Sequence, residues 1–438
     1  MANFAYRPVA IDLFAGVGGF SLGIEQAGFD VAIAVEKDPI HAAVYKFNFP
    51  QTHVLCADVT ELTGTHIQEA WRDWCDRQKR PVRVSDRDRM DIDLVFGGPP
   101  CQGFSVMGKR QVCDKRNLLV FEFCRLVKEL QPRYFLMENV PGLGWKKYQD
   151  LLNRLQWEFN AAGYEITQPI QVLNAVNFGV PQQRQRLFVL GNQVGVKPLP
   201  YPQPQLKSPS EFLTVRDAIA DLPNLDDFPE LQTSDWVELT LPQLKLLQAL
   251  AMPYVEKLRG IISDPSNFAH PRHWNQSLLT SSKRTRHNPA SIERFNQTLP
   301  GQLEAISRLQ RLDWDKPCYT LRAGTGYDRG SYTSPRPIHP NYPRVISVRE
   351  AARLHSFPDW FRFHGTKWHG FRQVGNAVPP QLGRVLGDQI IAALGVNSSP
   401  PSLSLRLGDS YLLELGQVKA SKYWQQKVYS DIRRVGIA

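Results

Sequence analysis

A cysteine that follows two glycines and two prolines is the first chemical signal in this chain. Asp93-Leu94-Val95-Phe96 has the apolar density of a buried strand and breaks into Gly97-Gly98-Pro99-Pro100-Cys101-Gln102-Gly103-Phe104-Ser105. Such a strand exit places Cys101 at the carboxyl edge of a sheet, where open α/β folds bind ligands. The two prolines stiffen the backbone that carries it, and nearby helix N–H groups or cations could lower its pKa. A small buried hydrophobe is the ordinary fate of a cysteine, but a Gly/Pro-rich exit is a poor place for core packing. The next apolar run, residues 134–137, ends in Glu138-Asn139-Val140-Pro141-Gly142, so a thiol and a carboxyl reach one edge. A protonated Glu138 can hydrogen-bond ring nitrogen 3 of a cytosine and make carbon 6 electrophilic enough for thiolate attack. Third comes Gln183-Arg184-Gln185-Arg186 leading into the apolar residues 187–190. Period two puts Arg184 and Arg186 on one side of a strand. One or both could hold Glu138 and the cytosine carbonyl oxygen, or neutralise a phosphate; alone, two arginines would read as a solvated face.

The elements that must position these groups are legible as an alternation. Residues 9–14, 31–35, 93–96, 134–137 and 187–190 read as buried strands. Between them, 19–27, 39–47, 117–130 and 148–162 carry apolar residues at helical spacing. That rhythm predicts a doubly wound, mostly parallel α/β sheet up to about residue 191. From there to about 342 the chain is proline-rich, aromatic and basic, which suggests a second, smaller domain. Helix-like segments return at 347–356 and 381–394. A Ser-Ser-Pro-Pro-Ser turn after Gly395 opens a tail, 395–438, to which no role can be given.

The first strand runs into Ala15-Gly16-Val17-Gly18-Gly19-Phe20 and then a helix, an arrangement that lets backbone lie close to a nucleoside. About twenty residues on, Glu36 stands at a strand end, where a carboxylate can accept hydrogen bonds from both ribose hydroxyls of an adenosine cofactor. Asp58, after another short apolar run, could take the adenine amino group. Nicotinamide enzymes share this pattern, and ordinary turn residues would also satisfy it. The third glycine of the dinucleotide fingerprint is missing, however, with Ser21 in its place, and S-adenosylmethionine has no pyrophosphate to cradle.

Bulk properties set the remaining bounds. The chain has 438 residues, a net charge of +10, 42% hydrophobic and 21% charged residues. Its length suits two domains, or one domain with a large insertion. No apolar run approaches the roughly 20 residues that cross a bilayer, and the start lacks a secretory pattern, so no membrane association and a cytoplasmic, nucleoid-associated location are expected. The six cysteines contain no Cys-x-x-Cys pair and the ten histidines no His-Glu-x-x-His motif, so neither a metal site nor a disulfide framework is expected. The basic balance suits a polyanionic partner.

Assembled in order, these residues closely resemble the DNA (cytosine-5)-methyltransferase family, in its bacterial modification-methylase form. The set is Asp12-Leu13-Phe14-Ala15-Gly16-x-Gly18-Gly19-Phe20, Glu36, Asp58, Gly98-Pro99-Pro100-Cys101-Gln102, Glu138-Asn139-Val140, Gln183-Arg184-x-Arg186, Arg349-Glu350-x-x-Arg353 and Gln373-Val374-Gly375-Asn376-Ala377-Val378. The resemblance implies a Rossmann-like catalytic domain over 1–191 and a target-recognition domain over 192–342. A return segment, 343–394, would pack its helix back on the first domain. It implies that Cys101 attacks carbon 6 with help from Glu138, Arg184 and Arg186, and that S-adenosylmethionine is the methyl donor. Phe14, Gly16, Gly19, Glu36, Asp58, Pro100, Leu119 and Asn376 would line the cofactor pocket, with Leu119 the loosest match. Residues 101–116 look like a mobile loop that closes over DNA.

For DNA contacts the resemblance points to Gln102, Ser105, Arg116, Thr320 and Arg322. Lys283-Arg284-Thr285-Arg286-His287 could hold phosphates, and Arg322 or Arg329 could read guanine edges. Carbon 5 chemistry requires the base outside the stack. A monomer on double-stranded DNA is expected, with a cognate restriction endonuclease as a potential counterpart. Rival readings are a transfer-RNA cytosine-5 methyltransferase, which Cys318-Tyr319-Thr320 faintly suggests, a DNA-binding regulator without catalysis, and a nicotinamide-dependent dehydrogenase.

Overall fold

The computed structural model describes residues 7–80, 91–100, 119–324 and 336–434. The apolar runs form β1 (Val9–Leu13), β2 (Asp30–Val35), β3 (His53–Leu55), β4 (Leu94–Gly97) and β5 (Tyr134–Asn139). These five lie parallel in the order β3-β2-β1-β4-β5. Residues 187–190 are the middle of a longer strand, β9 (Gln185–Gln193), which runs antiparallel to β5. β6 (Tyr164–Ile166) and β7 (Gln171–Asn174) both pair antiparallel with β9 and complete an eight-stranded sheet. The two-residue β8 (Gln182–Gln183) stands outside it and pairs with Cys318–Tyr319.

Period two divides each central strand between two cores. Ala10, Leu94, Phe96, Tyr134 and Leu136 face a layer made by α1 (Gly19–Ala27) and the Pro380–Leu394 helix. Ile11, Val95, Phe135 and Met137 face α3 (Gly64–Arg77), α4 (Leu119–Leu130) and α5 (Gln149–Ala161). Covering on both sides is what a parallel sheet requires, and it explains why these strands read as continuous apolar runs. Late in sequence, the Pro380–Leu394 helix lies against α1 at glycines. A Cβ on Gly23 would stand 2.3 Å from the Pro380 carbonyl oxygen, so only glycine permits this approach.

The remaining helix of the first half, α2 (Pro39–Asn48), is started by Asp38, whose Oδ1 accepts from the Ile40 and His41 amides at 2.9 and 3.3 Å. Its apolar face belongs to a third core that also takes Phe357, Phe361 and Phe363. The tail closes this core: Leu412, Leu413, Leu415 and Trp424 are buried in it, and Trp424 Nε1 donates to the Pro39 carbonyl. The segment after residue 191 is not uniform. Val215, Ala218, Ile219, Leu312 and Cys318 join the α2 core, while Leu225, Leu231, Val237, Leu247 and Leu279 make a small core of their own. No described helix is long and apolar enough to cross a membrane.

Candidate active site

The carboxyl ends of β1, β2, β4 and β5 open into one cleft of about 2850 Å³. A small-molecule pocket is typically roughly 300–1,000 Å³, so the cleft has room for a nucleoside cofactor and a larger ligand together. Phe14, Gly16, Gly19, Glu36, Asp58, Pro100, Leu119 and Asn376 all line it, as do Glu138, Arg184, Arg186, Thr320 and Arg322. Cys101, Gln102, Ser105, Arg116 and Arg329 lie outside the described residues.

At the β1 end, Phe14 has φ +69°, a left-handed conformation that is unfavourable for an aromatic residue and is found where surrounding structure over-determines the backbone. Gly16 and Gly18 continue the turn at +56° and +94°. Glu36 crosses to this turn from β2. Its Oε2 accepts from the Gly16 amide at 2.7 Å and its Oε1 from the Asp38 amide at 2.8 Å. Burial raises the Glu36 pKa, opposed by the neighbouring His41. Asp58 caps a short turn by accepting from the Thr60 amide at 3.1 Å and is ion-paired with the largely exposed Lys37. Beneath the turn, buried Asp12 accepts from the Ser21 hydroxyl, which in turn accepts from Tyr45 at 2.8 Å. Asp12 and Asn139 stand inside sequence motifs but carry no role legible from the sequence; both are buried supports of the site.

At the β5 end, Glu138 Oε1 meets Arg186 Nε at 2.8 Å. Its other oxygen faces the β4 exit, since a Cβ on Gly98 would lie 3.0 Å from Glu138 Oε2. Burial raises the Glu138 pKa, and Arg186 and then Arg184 oppose that rise. Asn139, fully buried, donates to the Pro99 carbonyl at 3.3 Å and so ties the β5 exit to the segment that leads into Cys101.

The two arginines divide: Arg186 holds Glu138, while Arg184 lines the same cleft and donates hydrogen bonds to backbone. β8 ends at Gln183 and β9 begins at Gln185, so regular alternation breaks at Arg184, whose amide bonds to Asn174 Oδ1 at 3.0 Å. Its buried guanidinium donates to the carbonyls of Leu321, Gly375 and Ala377 at 2.8, 2.9 and 2.9 Å. It thus clamps the Thr320–Leu321 segment to the loop that carries Asn376. Gln182 and His355 reinforce the same junction. Gln182 Oε1 accepts from the Leu321 amide at 3.0 Å, and its Nε2 lies 2.9 Å from His355 Nδ1. His355 Nε2 lies 2.9 Å from the Ala377 carbonyl oxygen. Gly375 permits the closeness, because a Cβ there would stand 2.4 Å from the Ala323 nitrogen. Thr320 is anchored by its hydroxyl to the Gln183 carbonyl at 2.6 Å.

Arg349 and Arg353 are not among the residues lining the cleft. Both are buried; Arg353 binds Asp359 at 2.8 Å and also pairs with Asp221, and Arg259 binds Asp359 at 2.7 Å. This hub fastens residues 221–280 to the catalytic half. Among the described residues no group of three His, Cys, Asp or Glu side chains is placed to hold a metal ion.

A family model for C-5 cytosine-specific DNA methylases matches residues 9–392. Type II methyltransferase M.XorII of Xanthomonas oryzae is 47% identical over 416 residues, 95% of this chain and 92% of that protein. M.DdeI of Desulfomicrobium norvegicum, also a type II methyltransferase, is 32% identical over 87% of this chain and 88% of its own. Among solved structures, an Escherichia coli prophage protein described as a DNA modification methyltransferase superposes with a TM-score of 0.69 at 33% identity, covering 89% of this chain and 99% of that one. The Entamoeba histolytica methyltransferase EhMeth shares the fold, with a TM-score of 0.53 at 15% identity over 89% and 99% of the two chains.

Proposed function

The chain belongs to the C-5 cytosine-specific DNA methylase family and is a DNA (cytosine-5)-methyltransferase; from that premise we propose that it methylates a flipped cytosine in duplex DNA through a covalent bond from Cys101. The observation that carries this reading is Glu138, held by Arg186 with its second oxygen toward the β4 exit that precedes Cys101. S-adenosylmethionine, when bound, supplies the methyl group as an electrophile. The residues fit its nucleoside part. Glu36 is fixed by two backbone amides, which leaves about two of a carboxylate's four acceptor positions for the ribose hydroxyls. Asp58 would receive the adenine amino group alongside the exposed Lys37.

In the reaction, the Cys101 thiolate bonds to carbon 6 while Glu138 holds a proton at ring nitrogen 3. The electron pair of the 5,6 double bond then makes carbon 5 nucleophilic and it takes the methyl group. A base removes the carbon 5 proton, the double bond re-forms and the thiolate leaves. Burial, which raises the Glu138 pKa, favours the proton-bearing carboxyl this role needs. Neither the thiol nor the donor can reach both ring faces inside a stack, so the base must leave it. The type II methyltransferases to which the chain is similar support pairing with an endonuclease of the same site.

The test is transfer of labelled methyl from S-adenosylmethionine to genomic DNA of a methylation-free host, followed by bisulfite sequencing. Label in cytosine at one recurring short sequence is expected. Inert DNA with labelled transfer RNA would overturn the substrate.

A further inference from the structure

Buried or half-buried cations in this molecule generally have partners. Arg186 has Glu138, Arg272 has Glu25, Arg344 has Glu350, and Arg353 has two aspartates. Arg184 and Arg311 donate to several backbone carbonyls. Some half-buried cations among the described residues depart from this pattern, Arg372 with only the Trp368 ring beside it among them. Arg336, on the wall of the cleft, lies 4.8 Å over the Phe371 ring and has no carboxylate or carbonyl partner among the described residues. Lys367, one helical turn before Phe371, donates to the Arg284 carbonyl at 2.6 Å and likewise lacks a carboxylate.

The surroundings add positive charge. Lys283 and Arg286 act on Lys367, and no carboxylate among the described residues pairs with either. The neighbouring acid, Asp226, is taken by Arg284. Burial, Arg336, Lys283 and Arg286 together push the Lys367 ammonium down to about 8. His287, on the same run, accepts from the Val345 amide at 3.3 Å, and its pKa is lowered by burial and by the charges of Lys367, Arg336 and Arg344. Uncompensated cations held together in partial burial oppose folding and are retained where an anion satisfies them.

We propose that Arg336 and Lys367, backed by Lys283 and Arg286, form a subsite for a backbone phosphodiester of the DNA. This rests on duplex DNA being the substrate. The Lys367–Asn376 helix spans ten residues, so the backbone of Lys367 lies roughly 14 Å from that of Asn376, at the other end of the helix from the cofactor-lining residue. Contacts here are to phosphate alone and hold the duplex across the cleft without reading sequence.

The experiment measures binding of a duplex of arbitrary sequence by fluorescence anisotropy against KCl concentration. Wild type, Arg336→Gln, Lys367→Gln, the double variant, and exposed Lys245→Gln as a charge-matched control are compared, with thermal unfolding to confirm folding. Removing one phosphate-binding cation should lower the log–log salt slope by about 0.9, whereas Lys245→Gln should leave it unchanged. Lys367→Arg should restore the slope and abolish the weakening of wild-type binding between pH 7 and 9. An unchanged slope in a folded double variant, with wild-type binding steep, overturns the subsite and leaves the duplex reading intact. Loss of stabilisation by inorganic phosphate with the duplex slope retained would make it a free-anion site and also overturn it. A wild type that does not bind duplex at all would overturn both.

Discussion

The strand-edge half and the 221–345 region of this protein hold their functional parts by different means. At the sheet, Glu36 and Glu138 stand where they do because apolar strands end beside glycine and proline turns, so backbone geometry positions them. In the other half, small separate cores are fastened by side chains. Asp359 gathers Arg259 and Arg353, and Arg311 ties three segments through the carbonyls of Phe295, Thr298 and Pro340. Arg184 joins the halves. A rigid sheet can keep reacting groups fixed while a region pinned by a few polar contacts varies in loop and sequence, which is how specificity can change on a constant chemical frame.

Substitutions should separate the two kinds of positioning. The largest effect is expected from Cys101→Ser, which should remove detectable methyl transfer while S-adenosylmethionine affinity, read by calorimetry, changes only a few-fold; undiminished turnover would exclude the nucleophile. Glu138→Gln should slow single-turnover methylation by roughly 10²–10⁴-fold. Because burial raises the Glu138 pKa and the protonated form is needed, the wild-type rate should fall as pH rises through that pKa. The variant should lack that limb.

In the pinned half, Asp359→Asn strands Arg259 and Arg353 in the interior and should cost about 3–5 kcal/mol in denaturant unfolding. The arginines hold the Asp359 carboxyl well below its usual range, so its contribution is present above the unfolded carboxylate pKa and is lost as pH falls through the acid range. An unfolding midpoint equal to wild type would show that the hub is dispensable. Smallest is Gly375→Ala, which inserts a methyl against the Ala323 backbone and should cost about 1–3 kcal/mol. If the junction couples the halves, that variant should weaken cofactor and duplex binding together, and a change in only one would separate them.

Legibility in the sequence follows the same division. The parallel sheet, the glycine turn and the strand-end residues can be read because each depends on local periodicity and its interruption. The antiparallel direction of β9 cannot, since it depends on pairing with β5 and β6 and not on its own residues. Arg349 and Arg353 are visible as a motif, but their use is hidden because Asp221 lies more than a hundred residues from Arg353. The tail resists reading for a related reason. Leu412, Leu413 and Trp424 make sense only against α2, which precedes them by almost the whole chain. Period two places Arg184 on the cleft wall, but its clamp on the carbonyls of Leu321, Gly375 and Ala377 depends on segments far away in the chain.

The most direct test of the account is the intact mass of the protein after incubation with S-adenosylmethionine and a duplex whose target cytosine carries fluorine at carbon 5. Fluorine leaves no proton to remove, so the thiolate cannot depart. One protein chain joined to one methylated strand is expected, with the bond mapped to Cys101. Methylation of an unmodified duplex by the same preparation, with no adduct to the fluorinated one, would contradict it.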